Sequence, residues 1–153
     1  MILRILLILL PVLASPFSSF NKSHYYVVFA KGTMAEIKEE ISGELAMDFP
    51  GRQAYEGALL MKRAGLRSLP VDKMHDFKKG HAQLESAIAS DTSNTEYRFL
   101  RLCIQEQAPS FLHYNEDLDR DNLYIHRHFN ELSGEVRIAV LDYSRHSHVL
   151  RNL

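Results

Sequence analysis

Closely spaced breaks constrain the fold of this chain more than any other feature. Gly32–Thr33, Pro50–Gly51, Pro70, Asp91–Thr95, Pro109 and Ser133 cut residues 23–150 into short segments. Within most of them the apolar residues recur three, four or seven apart, the repeat of one helix face. Met34, Ile37, Ile41 and Leu45 keep that spacing after Gly32, which resembles a C-terminal glycine, and Thr33, which resembles an N-cap. The spacing predicts helices over 23–31 and 34–47, although Tyr25 to Phe29 also has strand propensity.

A third helix, RQAYEGALLMKRAGL, carries a small stripe (Ala54, Gly57, Ala58, Met61) and a bulky one (Tyr55, Leu59, Leu66), and ends at Gly65. The small stripe lets another helix come close. A fourth helix over 73–90 aligns Met74, Phe77, Leu84, Ala87 and Ile88. The fifth, capped by Asn94 or Thr95, is apolar on two faces, with Phe99, Leu102 and Cys103 on one and Tyr97, Leu100 and Ile104 on the other. Such a helix is sandwiched between neighbours. A loop follows Pro109 and docks Phe111, Leu112 and Tyr114 on the core. The sixth helix, DLDRDNLYIHRHFNEL, turns Leu118, Tyr124, Ile125 and Phe129 inward. The seventh, GEVRIAVLDYSRHSHVL, is capped by Ser133 and offers Val136, Ile138, Ala139, Val140, Leu141 and Tyr143 as its inner surface, ahead of a frayed basic tail. Nothing here requires a sheet. The expected fold is all-α, antiparallel helical hairpins with local contacts.

From Tyr55 to Phe99 the residues resemble a tetratricopeptide-type repeat, which alternates large and small positions across two helices. Gly57 and Leu60 look like the small-then-large pair of a first helix, and Gly80, Leu84 and Ala87 like the packing positions of a second. Asp91 to Asn94 stands at the turn, and Phe99, Leu102 and Cys103 open the next unit, with Cys103 at a small position. The interval from Gly57 to Gly80 exceeds that of the repeat, and Thr92 stands where proline is usual. The resemblance implies a divergent TPR-like array of six or seven helices. The ordering, with YEGALLMKRAG and EYRFLRLCIQEQAPSFL, is also similar to small exported bacterial proteins of unknown function.

MILRILLILLPVLAS has the shape of a signal peptide, with Arg4 inside an apolar run too short to span a bilayer as a helix. Val12 and Ala14 suit cleavage after Ala14. The expected organisation is a signal peptide over 1–14, a flexible mature N-terminus over 15–22 and one helical domain over 23–150. It places the protein outside the cytoplasm, in the periplasm, with no stable membrane insertion after cleavage. Cys103 is the sole cysteine, so no internal disulfide can form. Loss of Arg4 takes the basic count from 18 to 17 against 19 acidic side chains, a formal charge of −2. With Lys and Arg interspersed among acids, nucleic acid is not an expected partner.

The chemistry-bearing residues form no sharp constellation. His126 and His128, like His146 and His148, are two apart and point about 200° from each other on a helix, so neither pair clamps a metal. DLDRDN opens like a calcium loop, but Asn122 and His128 stand where the sixth-position glycine and twelfth-position glutamate belong. Glu36, Glu39, Glu40 and Glu44 read as a solvated helix face, and Cys103 as a small core hydrophobe. No GxSxG, Walker-type or HExxH pattern occurs.

In a TPR-like array the first helix of each pair lines the concave face. Tyr55, Lys62, Tyr97, Arg101 and Gln105, on the third and fifth helices, are therefore the expected partner-binding residues, with Tyr55 and Tyr97 as core residues the competing reading. The expected function is a protein- or peptide-binding or scaffold module, without cofactor or catalytic activity. The alternative is a small metal-dependent hydrolase built from His113, Asp117, Asp121 and His126.

Overall fold

The computed structural model describes residues 20–153. The expected signal peptide and most of the 15–22 stretch lie outside that range. Among the described residues there are seven α-helices and no strand: α1 (Lys22–Lys31), α2 (Met34–Ser42), α3 (Arg52–Leu66), α4 (Pro70–Ser90), α5 (Thr95–Gln107), α6 (Leu118–His128) and α7 (Gly134–Ser144). None is long and apolar enough to cross a membrane.

Local chemistry sets most of the boundaries. Tyr25 to Phe29 is helical, and Thr33 and Glu36 form a reciprocal capping box at the start of α2. Asn94 caps α5 by accepting a hydrogen bond from the Tyr97 amide at 3.1 Å. Four boundaries differ from expectation. α2 stops at Ser42, and a short 3-10 helix over Glu44–Ala46 carries Leu45 into the core instead. α4 begins at Pro70, earlier than the expected 73, because a proline at the first helical position gives up only an amide that would be unpaired anyway. α6 tightens into a 3-10 turn over Phe129–Glu131, and α7 ends at Ser144.

α3 and α4 form a tight antiparallel hairpin. Gly57 and Gly80 face each other across it: a Cβ on Gly80 would lie 2.4 Å from the Gly57 carbonyl oxygen, and one on Gly57 would lie 2.7 Å from that of Gly80. Near its turn Asp76 of α4 is buried between Arg63 and Arg67 at 2.7 and 2.8 Å. Burial alone would raise the Asp76 carboxyl, but the two guanidinium groups outweigh it and hold the carboxyl below its ordinary range.

α5 is sandwiched as its two apolar faces require, with Phe99, Leu100, Leu102, Cys103 and Ile104 all buried. It pairs with α6 through Arg101, whose guanidinium holds both oxygens of the fully buried Asp121 at 2.7 and 2.8 Å. The expectation of purely local contacts fails at the ends of the described chain, where α1 packs against α7.

Four smaller expectations are also corrected. Phe111 is exposed while Tyr114 alone of its loop is buried, and Met74 lies at the surface of α4. Ile138 and Leu141 are exposed too: Ile138 sits about 200° around α7 from Val136, so the two cannot share the buried face. The tail does not fray. Leu150 is fully buried, and Glu106 at the end of α5 accepts hydrogen bonds from the Ser147 hydroxyl and the His148 and Val149 amides.

Candidate functional site

A groove of about 740 Å³ opens where α1 and α7 lie side by side over α5. Val27 and Ala30 form one wall, Ile138 and Ala139 the other, and Phe99 and Ile104 the floor. The volume is within the ~300–1,000 Å³ range of ligand sites, and the lining is mainly apolar, as such sites are. Val27 is 53% and Ile138 63% exposed, so both edges present hydrophobic side chains to solvent.

The floor is held rigidly. Phe99 stacks edge-to-face on Tyr143 at 5.8 Å, and Tyr26 lies 5.9 Å from Phe99. The Tyr26 hydroxyl donates to Glu96 at 2.9 Å, and the Lys22 ammonium binds the other Glu96 oxygen at 2.6 Å. The Tyr143 hydroxyl donates to Glu106 at 2.8 Å. Both tyrosines at the base thus have their polar ends tied down, leaving the ring faces to the groove. Cys103 lies beneath, and burial pushes its thiol well above the ordinary value, so it is a packing residue and not a nucleophile.

The groove has a direction. Ser23 and Glu135, near the starts of α1 and α7, line one end, and Asn21 and Ser133 lie close by in an adjoining hollow. Lys31, Arg145 and His146, at and just beyond the ends of the same helices, line the other. The two helices therefore run the same way. Lys62 reaches in from α3 and donates to the Ala30 carbonyl at 3.2 Å. Burial pulls its amine below the ordinary lysine value. None of the ion pairs among the described residues includes Lys31, Lys62 or His146, whereas Arg145 holds Asp142 at 2.8 Å.

Of the five expected partner-binding residues, only Lys62 lines this groove. Tyr55 is buried, with its ring edge-to-face on Tyr25 at 5.1 Å and on Tyr97 at 6.3 Å. Tyr97 is half-buried over Gly51, whose left-handed backbone (φ 83°) leaves no room for a side chain beneath the Tyr97 hydroxyl. Arg101 is buried and committed to Asp121, Asp117 and Glu85. Gln105 is buried, and its Oε1 has no hydrogen-bond partner. Those four do not form an exposed face. α5 is covered on the side that carries Arg101, which therefore serves internal pairing, and it meets the groove through Phe99 and Ile104 instead. Val27 and Ile138 escaped sequence reading because they are apolar residues on helices whose other apolar residues are core. The available signal was angular: Ile138 is out of phase with Val136 and Val140.

The two carboxylates of the hydrolase alternative are otherwise engaged. Asp121 is held by Arg98 at 3.0 Å as well as by Arg101, and Asp117 by Arg101 at 3.0 Å and by Arg120. His113 is an exposed residue with left-handed backbone, φ 49°, beyond α5. Among the described residues no group of three His, Cys, Asp or Glu side chains is placed to hold a metal. Comparison with protein-family models, curated proteins and solved structures gives no match to this chain.

Proposed function

We propose that this protein is a non-catalytic binding module, working after export in the periplasm, that accepts an apolar helical segment of a protein or peptide partner in the groove between α1 and α7. The observation that supports this most is the pair of exposed edges, Val27 and Ile138, flanking a preformed apolar floor. An amphipathic helix laid along such edges buries its own apolar stripe and theirs together, the helix-in-groove mode of recognition. Each apolar side chain fully covered contributes about 1.5–3 kcal/mol before the costs of association. The same reading keeps α3–α4 and α5–α6 as hairpins stacked in the tetratricopeptide manner, which the Gly57–Gly80 contact supports for the first of them.

The test is a methyl NMR titration of the full chain with a leucine-rich amphipathic helical peptide of about 15 residues. Val27, Ile104 and Ile138 signals should shift together. Ile138→Asp should abolish the shifts while changing unfolding free energy by no more than about 0.5 kcal/mol, as for an exposed position. Shifts confined to the outer face of α3 and α4, or none at all, would remove the groove from consideration.

A further inference from the structure

The groove is electrically lopsided, and this bears on what kind of helix it takes. At the end formed by the C-termini of α1 and α7, Lys31, Lys62 and His146 lie without a carboxylate partner among the described residues, and Lys62 is partly buried against apolar walls. Its ammonium reaches solvent beside the Ala30 carbonyl and has no carboxylate opposite it among the described residues, so it can take one from a ligand. At the other end Glu135 is exposed in the first turn of α7, and the neighbouring Lys22 in the adjoining hollow is already paired with Glu96 at 2.6 Å, so the balance there is acidic. The remaining charges on the groove, Asp142 and Arg145, neutralise each other.

Building on the helix-in-groove reading, we infer that the partner segment carries acidic residues in its first turn and a basic residue in its last, and that it lies antiparallel to α1 and α7, with its acidic end on Lys31 and Lys62. Two independent effects favour this direction. A helix tolerates acids best in its own first turn, where the unpaired amides and the dipole favour negative charge. The antiparallel arrangement also places the partner's positive dipole end against the negative ends of α1 and α7. A helix entering the other way would set basic residues against Lys31 and Lys62 and acids against Glu135. Like-charge juxtaposition of this kind is what separates partners that bury the same apolar surface.

The experiment uses two fluorescein-labelled peptides of about 15 residues with the same leucine stripe and the same composition. One has Glu in its first turn and Lys in its last; the other has the two sets exchanged and is amidated and acetylated like the first. Binding to the full chain is followed by fluorescence anisotropy at low and high salt. The acid-first peptide should bind about tenfold tighter at low salt, equivalent to about 1.4 kcal/mol, and lose most of that preference at high salt. Lys62→Gln should erase most of the preference while leaving the weaker peptide unchanged. Because Lys62 also bonds Ala30, the exposed Lys31→Gln is made in parallel and should cost part of the preference with the fold intact.

Equal binding of the two peptides, abolished by Ile138→Asp, would overturn the directional inference and leave the groove standing. Binding of neither peptide would overturn both readings, as would concentration-dependent dimerisation that buries Ile138.

Discussion

The α3–α6 region and the α1–α7 groove treat buried charge in opposite ways. In the first, Asp76 meets two arginines, Asp121 meets two more, and Arg101 also binds Glu85, which in turn accepts the Tyr114 hydroxyl at 2.6 Å. Arg98 completes its own environment over the Tyr124 ring at 4.3 Å. Each of these buried ions has its counter-ion, and the helices come close enough for two glycines to touch. In the second, apolar edges stand in solvent and Lys62 has a single carbonyl. One region is closed on itself, which suits a scaffold. The other leaves Val27 and Ile138 in solvent and Lys62 without a counter-ion among the described residues, the features on which the proposed binding rests.

Removing Asp121 should expose the contrast most sharply. Asp121→Ala leaves Arg98 and Arg101 facing each other across a buried site, and breaking one side of a buried pair costs about 3–5 kcal/mol. Urea unfolding followed by circular dichroism should show a loss of that size, with peptide affinity of the folded fraction unchanged. A loss below about 1 kcal/mol would mean that water reaches Arg101 and that the region is less closed than its packing indicates.

Gly80→Ala comes next. Its new Cβ meets the Gly57 carbonyl and the Leu60 and Met61 side chains, and a backbone oxygen cannot rotate away. Overpacking of this kind costs about 1–3 kcal/mol, partly offset by the better helix propensity of alanine. The same substitution at Gly65, which has open space around it, should be neutral or slightly stabilising by the same urea assay. Equal effects at the two positions would sink the idea that the α3–α4 hairpin depends on close approach.

The sequence reveals the closed region more readily than the open one. Helical spacing and the breaks at Gly32, Pro50–Gly51, Pro70 and Pro109 are local, so the helices could be located from it. Gly57 was legible as a packing position because a small stripe needs a neighbour, and Gly80 through the resemblance to a tetratricopeptide-type repeat. Arg101 and Asp121 were not legible as partners, since each looks like an ordinary surface charge until two helices meet, and Tyr55, Arg101 and Gln105 were accordingly expected at a surface. The groove was hidden for a further reason. It arises from contact between the first and last helices, the longest-range pairing in the described chain, about which no local pattern carries information. Lys62 entered the expected set as an exposed residue of α3, whereas its importance comes from Ala30 on α1.

Glu106, like Glu96, is a polar lock on the groove's side of the molecule, and it gives the smallest of the expected effects. Its carboxylate gathers the Ser147 hydroxyl at 2.6 Å, the Tyr143 hydroxyl at 2.8 Å and two tail amides, and so fastens residues 147–150 under α5. Burial pushes the carboxyl up, but the four hydrogen bonds outweigh it and hold it below the ordinary glutamate value. For a carboxyl depressed by folding, the stabilisation is fully present above the unfolded-state value, about 4.3, and is lost as pH falls through the lower folded-state value. Glu106→Gln replaces one acceptor oxygen by a donor that faces other donors, and should cost about 1 kcal/mol at pH 7. The difference between parent and variant in urea unfolding should shrink as pH drops below about 4.3, because the parent loses its own carboxylate there. Amide exchange at His148 and Val149 should quicken in the variant at pH 7 while that of the α3–α4 hairpin stays slow. A gap between parent and variant that is constant from pH 7 to about pH 3 would show that the tail is held by Leu150 packing alone. Loosening that spreads into α3 and α4 would erase the distinction between the two regions.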